Sequence, residues 1–205
     1  MATQERPAYS RRAALGALGK VGVASCGLIG TSFSNPARAA GQTEPNPQMP
    51  AEVLAALPDA QALGSATLRF LGLSIYEARL WVQRGFQASS YAQSPFALEL
   101  NYSRSLSGPL IAERSLKEMR RQGPINEERG QIWLRAMVQA FPDVKAGDRI
   151  TGLHTPGVGA RFWFNGQSRP AVDDPDFSRF FFGIWLSEQT SEPQMRARLL
   201  GQSAS

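Results

Sequence analysis

Apolar and polar residues alternate from Pro95 to Tyr102. Phe96, Leu98, Leu100 and Tyr102 share one face, and Ala97, Glu99 and Asn101 the other. A period of two is that of a β-strand, and the polar second face predicts one side on a core and one in water. Upstream, Ala66 to Leu73 and Ile75 to Val82 are two more strand-like runs, with Gly72 marking a bend or bulge. The period then changes. Gly108-Pro109 opens a helix whose Ala112, Leu116 and Met119 recur at helical spacing, and Gly123-Pro124 stops it. Asn126 suits the cap of a second helix, with Glu127 and Glu128 in the first turn, where the helix dipole favours negative charge. Its apolar stripe is Ile132, Trp133, Ala136, Met137, Ala140 and Phe141, and Pro142 ends it.

Strand patterning returns at Arg149 to Leu153 and Ala160 to Phe164, followed by Asn165-Gly166, a tight hairpin signal. Asp174-Pro175 caps and starts a helix to Leu186. Phe177, Phe180, Phe181, Ile184 and Trp185 give that helix an apolar face and Phe182 widens it, so the helix is buried on two sides. Ser191 with Gln194 resembles a capping box for a last short helix to Gly201. Near the start, AEVLAALPDA holds a helical turn or two before Pro58, after a polar, Pro-bearing linker over residues 40–50. Strands, two helices, strands, two helices predict an α+β fold, an antiparallel sheet packed on a helical layer. The sheet's second face needs a cover or forms a groove.

Composition agrees with one domain: 205 residues, 42% apolar and 19% charged. One Cys and one His exclude a disulfide framework and a clustered His/Cys metal site. The net charge of +5 and pI near 9.9 suggest nucleic acid, until the charge is located. Arg6, Arg11, Arg12, Lys20 and Arg38 against Glu5 place +4 within residues 1–39, so the rest carries about +1. No basic block with interleaved aromatics remains, and nucleic-acid binding loses its support.

Those 39 residues read as an export signal. Arg11-Arg12 is a twin-arginine pair, and an Ala/Gly-rich apolar stretch follows from about Ala13 to Gly30. Ala37-Arg38-Ala39 is a small-x-small cleavage pattern. Lys20 and the glycines make the stretch too weak for a spanning helix. Val23-Ala24-Ser25-Cys26 offers a competing lipobox cut, which would leave a lipid anchor on Cys26. The expected organisation is a leader over 1–39, a linker and short helix over 40–62 and a domain over 63–202. The expected compartment is the periplasm or another exported location, reached through the export machinery.

Four stretches in order carry a family resemblance: GSATLRFLGLSIYEARLW, RSLSGPLIAERSLKEMRRQG, FPDVKAGDRITGLHTPGVGARFWFNG and DPDFSRFFFGIWLSEQTS. From about Gly64 to Gly201 the chain resembles the bacterial chalcone isomerase-like family. The resemblance implies an open-faced β-sandwich, a large antiparallel sheet under a layer of α-helices with an apolar cleft between. The family's plant members close a chalcone to a flavanone, using an arginine and polar hydroxyls to hold the oxyanion and developing enolate. Related members bind fatty acids in the cleft, with the arginine gripping the carboxylate. The family stretch FTxIGVY corresponds to Phe70–Tyr76, which puts Leu71 where the catalytic threonine belongs. No Arg or Lys lies between Ala51 and Leu68, where the catalytic arginine belongs, and Tyr102 is only a candidate for the catalytic tyrosine.

The candidate ligand-binding residues are Arg69, Tyr76, Tyr102, Arg114 and Arg161. Arg69 alternates with Leu68 and Phe70, so it faces opposite to them, either gripping an anion or solvated. Tyr76 either offers its hydroxyl to a ligand or packs in the core with a wet tip. Arg114 needs to point at the sheet; otherwise it pairs with Glu118 on its own helix. Arg161 alternates with Phe162 and is a ligand contact only if the cleft lies on its side. Trp133, Trp163 and Trp185 read as core. His154 stands alone, without a Ser/His/Asp set. Gly157-Val158-Gly159 is a turn, because no Lys-Ser/Thr follows it. The acidic pair Asp173-Asp174 serves capping. No cofactor or metal motif is present.

Three readings follow. The leading one is a non-catalytic exported protein binding a small apolar or amphipathic, fatty-acid-like acid between sheet and helices. The second is an isomerase (intramolecular lyase) acting on an enone-like substrate with relocated residues. The third is an envelope scaffold whose cleft is filled by side chains.

Overall fold

Six antiparallel strands follow one another in space as they do in sequence: β1 (Gln61–Phe70), β2 (Leu73–Val82), β3 (Phe96–Tyr102), β4 (Arg149–Thr155), β5 (Gly159–Phe164) and β6 (Gln167–Val172). This computed structural model describes residues 48–202. The leader over 1–39, with Arg11, Arg12, Cys26 and Ala37–Ala39, lies outside the described residues, as does the linker up to residue 47. Helix α1 (Ala51–Ala56) precedes the sheet. Helices α2 (Gly108–Met119) and α3 (Glu127–Ala140) are inserted between β3 and β4, and α4 (Pro175–Leu186) and α5 (Pro193–Leu199) follow β6. The open sheet under a helical layer is the expected α+β architecture.

Local chemistry sets several boundaries. Asn126 accepts a hydrogen bond from the Arg129 amide at 2.8 Å and caps α3, and Asp174 accepts from the Phe177 amide at 3.0 Å and caps α4. Asn165 and Gly166 both take positive φ, the requirement of a two-residue hairpin between β5 and β6. The Ser191–Gln194 box does not form. Glu192 holds the cap position of α5 without a side-chain bond, and Thr190 donates instead to the Ile184 carbonyl. In α3, Ile132 is half exposed, so the stripe narrows to Trp133, Met137 and Ala140. Strand β6 completes the hairpin that Asn165-Gly166 signals, although its sequence, QSRPAV, is polar and contains Pro170. An edge strand tolerates a proline because one row of its backbone groups has no partner.

One face of the sheet carries the main core. Leu80, Phe96, Leu98, Phe162 and their neighbours pack against Met119, Trp133, Met137 and the phenylalanines of α4. The second face is not wet where alternation in β3 suggested. Helix α1 lies there, with Val53 and Leu57 against Trp81, Ala97 and Leu153. Beneath it the buried Glu99 accepts from Trp81 Nε1 at 2.9 Å and from Asn101 Nδ2 at 3.0 Å. Glu52 of α1 accepts from Thr151 Oγ1 at 2.7 Å and from Arg149 at 3.0 Å. Each buried carboxylate is therefore satisfied, which its burial requires.

His154 is a structural tie. Its Nε2–H donates to the Ala92 carbonyl at 3.0 Å, so Nδ1 accepts from the Ser178 hydroxyl at 2.7 Å. The ring stacks on Phe96, and burial pushes its pKa below the ordinary value, only partly opposed by the Ala92 bond. A depressed histidine stabilises the fold above the unfolded-state pKa. That contribution is lost as pH falls through the unfolded value toward the folded one. Thermal melts from pH 7.5 downward are expected to show stability falling below about pH 6.5. His154→Leu is expected to flatten that slope and cost about 1–3 kcal/mol by orphaning two buried partners. An unchanged slope in the variant contradicts the assignment.

Candidate functional site

Strands β1 and β2 run past the end of β3. Pairing of β2 with β3 stops at Tyr76–Tyr102, whereas β1 and β2 continue to Phe70–Leu73. This overhang forms one wall of a cavity of about 360 Å³, closed by α2, the end of α4, and α5 with the segment leading into it. The cavity is far larger than the water or two that a filled scaffold would leave. Its walls are largely apolar, with Leu100, Ile111, Ile150, Phe181, Ile184 and Met195 among them.

A register shift sits in the overhang. Leu68 pairs with Tyr76, but the next residue, Arg69, pairs with Ser74, leaving Ile75 as the extra residue of a bulge. The extra residue lies on β2, so β1 keeps its alternation there, and Leu68 and Arg69 at the strand's end both line the cavity. What strict alternation could not show is that consecutive residues of β2, Ile75 and Tyr76, both line the cavity.

The buried floor holds neutral donors. Tyr76 and Tyr102 stand on adjacent strands with ring centroids 5.7 Å apart, edge to face. Trp185 Nε1 donates to the Tyr76 hydroxyl at 3.1 Å, which leaves that hydroxyl's own proton free to donate. Burial pushes Tyr76 far above the usual phenol range, and Trp185 only partly offsets it. Burial, with neighbouring Tyr76, does the same to Tyr102. Both phenols stay protonated at any physiological pH.

The cations come from β1, α2 and α5. Arg114 pairs with Glu118 at 2.8 Å, and Glu118 also meets Arg121 at 3.6 Å. Arg196 donates from Nε to the Leu186 carbonyl at 2.8 Å. Arg69 makes no ion pair or side-chain hydrogen bond among the described residues. Of three guanidiniums lining the cavity, it is the one with its donors uncommitted.

The structure thus brings together Arg69, Tyr76, Tyr102 and Arg114. Arg161 is not with them. It pairs across the sheet with Leu153 on the α1 side and is exposed there. Trp133 is core, as read. Trp163 packs beside the α1 core, and Trp185 is also a hydrogen-bond donor to a cavity tyrosine. Sequence reasoning missed Glu192, Met195 and Arg196. Their signal was available in a short amphipathic helix carrying Met195 and Arg196 on successive positions, but only its cap was considered. Leu71, which the resemblance places at the threonine position, does not line the cavity. The arrangement can hold a chain-like apolar body, donate hydrogen bonds from neutral phenols and meet a negative group with a guanidinium. Among the described residues no three His, Cys, Asp or Glu side chains could share a metal ion, and no helix is long and apolar enough to cross a membrane.

Comparison with known proteins agrees with this fold. An uncharacterised protein of Haemophilus influenzae is 26% identical over 145 residues, which cover 71% of this chain and 70% of that protein. The crystal structure of a fatty-acid binding protein of Arabidopsis thaliana superposes with a TM-score of 0.55 at 14% identity, covering 70% of this chain and 87% of that one. At that identity the likeness is one of fold. Residues 57–201 match the family described as chalcone isomerase-like, and with most of the described chain inside that match, the protein belongs to the chalcone isomerase-like family.

Proposed function

We propose that the domain binds a fatty-acid-like monocarboxylate in this cavity and performs no reaction on it. The observation that carries the reading is the division of the site: an apolar cavity whose floor offers only neutral hydroxyls, and an uncommitted guanidinium, Arg69, on its wall. An apolar tail gains from leaving water, by about 0.8 kcal/mol per buried CH₂. A carboxylate at Arg69 gains a charge-assisted bond without desolvating a second charge. The volume is near the lower end of the roughly 300–1,000 Å³ typical of small-molecule sites, which suits a short or medium tail. The fatty-acid binding fold relative supports the ligand class. The missing threonine counterpart at Leu71, and the absence of Arg or Lys before Arg69 on β1, support binding over flavanone-forming catalysis.

Isothermal titration with a series of saturated fatty acids tests the reading. Affinity is expected to rise roughly fourfold per added methylene until the cavity is full. Arg69→Ala is expected to weaken binding by about tenfold or more, and Arg161→Ala to leave it unchanged. Because both phenols are raised, affinity is expected to stay flat from neutral pH to about pH 10. No detectable heat for any chain length, or steady turnover of chalcones by the wild type, contradicts the proposal.

We also propose that the chain is exported through residues 1–39. The twin-arginine pair, the weakly apolar stretch and the small-x-small motif support this. Protein recovered from the periplasm is expected to begin at Ala40, and Arg11→Lys with Arg12→Lys to retain the precursor in the cytoplasm. A mature N-terminus at a lipidated Cys26, in the membrane fraction, would replace release by anchoring.

A further inference from the structure

Four of the nine large apolar side chains exposed among the described residues gather at one place. Phe70, Leu71 and Leu73 form the tip of the β1–β2 overhang, and Leu110 stands on the first turn of α2. Phe70 and Leu110 also line the cavity, so the patch is the cavity's own lip. Leu71 is 85% exposed and takes a φ of 49°, with Gly72 at 79°. A two-residue turn with both φ positive favours Asn or Asp followed by Gly. Leucine there gains no packing inside the protein and sits in a backbone region that a side chain makes costly. Neither folding nor solubility accounts for it.

We propose that this lip docks on an anionic lipid bilayer, with the cavity mouth facing the membrane. Charge complementarity selects that partner. Arg69 immediately precedes the tip, and Arg114 lies one helical turn beyond Leu110 with its side chain 63% exposed. Of the two acids on that helix, Glu113 is exposed beside Arg114, and Glu118 is already paired with Arg114 and Arg121. The apolar tip enters the interfacial region, where water and headgroups still satisfy the turn's backbone groups, while the guanidiniums meet phosphates. Deeper insertion is excluded, because a hairpin tip in hydrocarbon leaves its backbone unsatisfied. Passage of an acid between bilayer and cavity rests on the binding reading above; docking itself rests on the lip.

Hydrogen–deuterium exchange on the full chain tests it, with vesicles of phosphatidylcholine and phosphatidylglycerol in equal parts. The readout is local, and the variant below carries the same leader, so the leader's own affinity is common to both samples and drops out of their comparison. Peptides spanning residues 69–74 and 107–112 are expected to slow on adding vesicles, and less so with phosphatidylcholine alone. The paired substitution Leu71→Asn with Leu73→Ser removes apolar surface at residues outside the cavity lining and gives the turn a residue it favours. It is expected to leave the melting temperature and fatty-acid affinity no lower, and to raise the lipid concentration for half protection at least tenfold. Equal protection in this variant overturns the proposal. So does slowing of the tip without vesicles, which would mean a second copy or the chain's own leader covers it. Fatty-acid affinity of the same samples in solution reports separately on the binding reading.

Discussion

Helix α4 meets the sheet through a wall of phenylalanines, and the spacing that wall imposes decides where the protein can be hollow. Phe177 and Phe181 stack 5.6 Å apart, and Phe181 and Phe182 meet Phe162 and Phe96 edge to face at 5.3 Å and 5.1 Å. Gly152 on β4 permits this approach, since a Cβ there would stand 3.1 Å from the Phe182 ring. The packing is tight over β4 and β5, at the middle of the sheet. It ends at Ile184 and Trp185, where the helix reaches the β1–β2 side. There the strands overhang β3, and α2 and α5 bridge the gap without filling it. The cavity follows from a rigid aromatic contact in the centre and an overlong hairpin at one edge.

That origin explains the polarity of the site. Its floor belongs to the sheet and to the last turn of α4, so its polar groups are side chains with an apolar body and a polar tip: Tyr76, Tyr102 and Trp185. The lining arginines stand at the end of β1 and on α2 and α5, and the buried Glu118 is paired with one of them. Neutral donors and cations lining one apolar cavity are the groups that the proposed binding of an amphipathic acid uses. Ring closure of a chalcone would need the cation and hydroxyls converging on one oxyanion.

The sequence made much of this legible where the signal is local. The limits of α4 followed from Asp174-Pro175 and the run of phenylalanines, the cap of α3 from Asn126, and the β5–β6 turn from Asn165-Gly166. What escaped depends on pairing between distant segments. The place of Ile75 beside Tyr76 on the cavity wall escaped because the bulge is a property of register between two strands. Glu99 was read as wet because α1, nearly fifty residues upstream, covers it. Strand β6 showed only through its turn, because an edge strand can be polar and carry Pro170. Four of five candidate ligand residues meet in one cavity because three lie on neighbouring strands and the fourth on the helix above them. Arg161 fails because its strand presents it to the opposite face.

The central claim is that an apolar cavity between the β1–β2 overhang and helices α2, α4 and α5 holds one amphipathic acid. Native mass spectrometry of the protein, purified gently and then exposed to excess decanoic acid, addresses it most directly. The account expects a single adduct of the mass of one fatty acid, stable at low activation and abolished when Ile111→Trp fills the cavity. A protein that carries no adduct and takes none up, or that binds equally with the cavity filled, would contradict it.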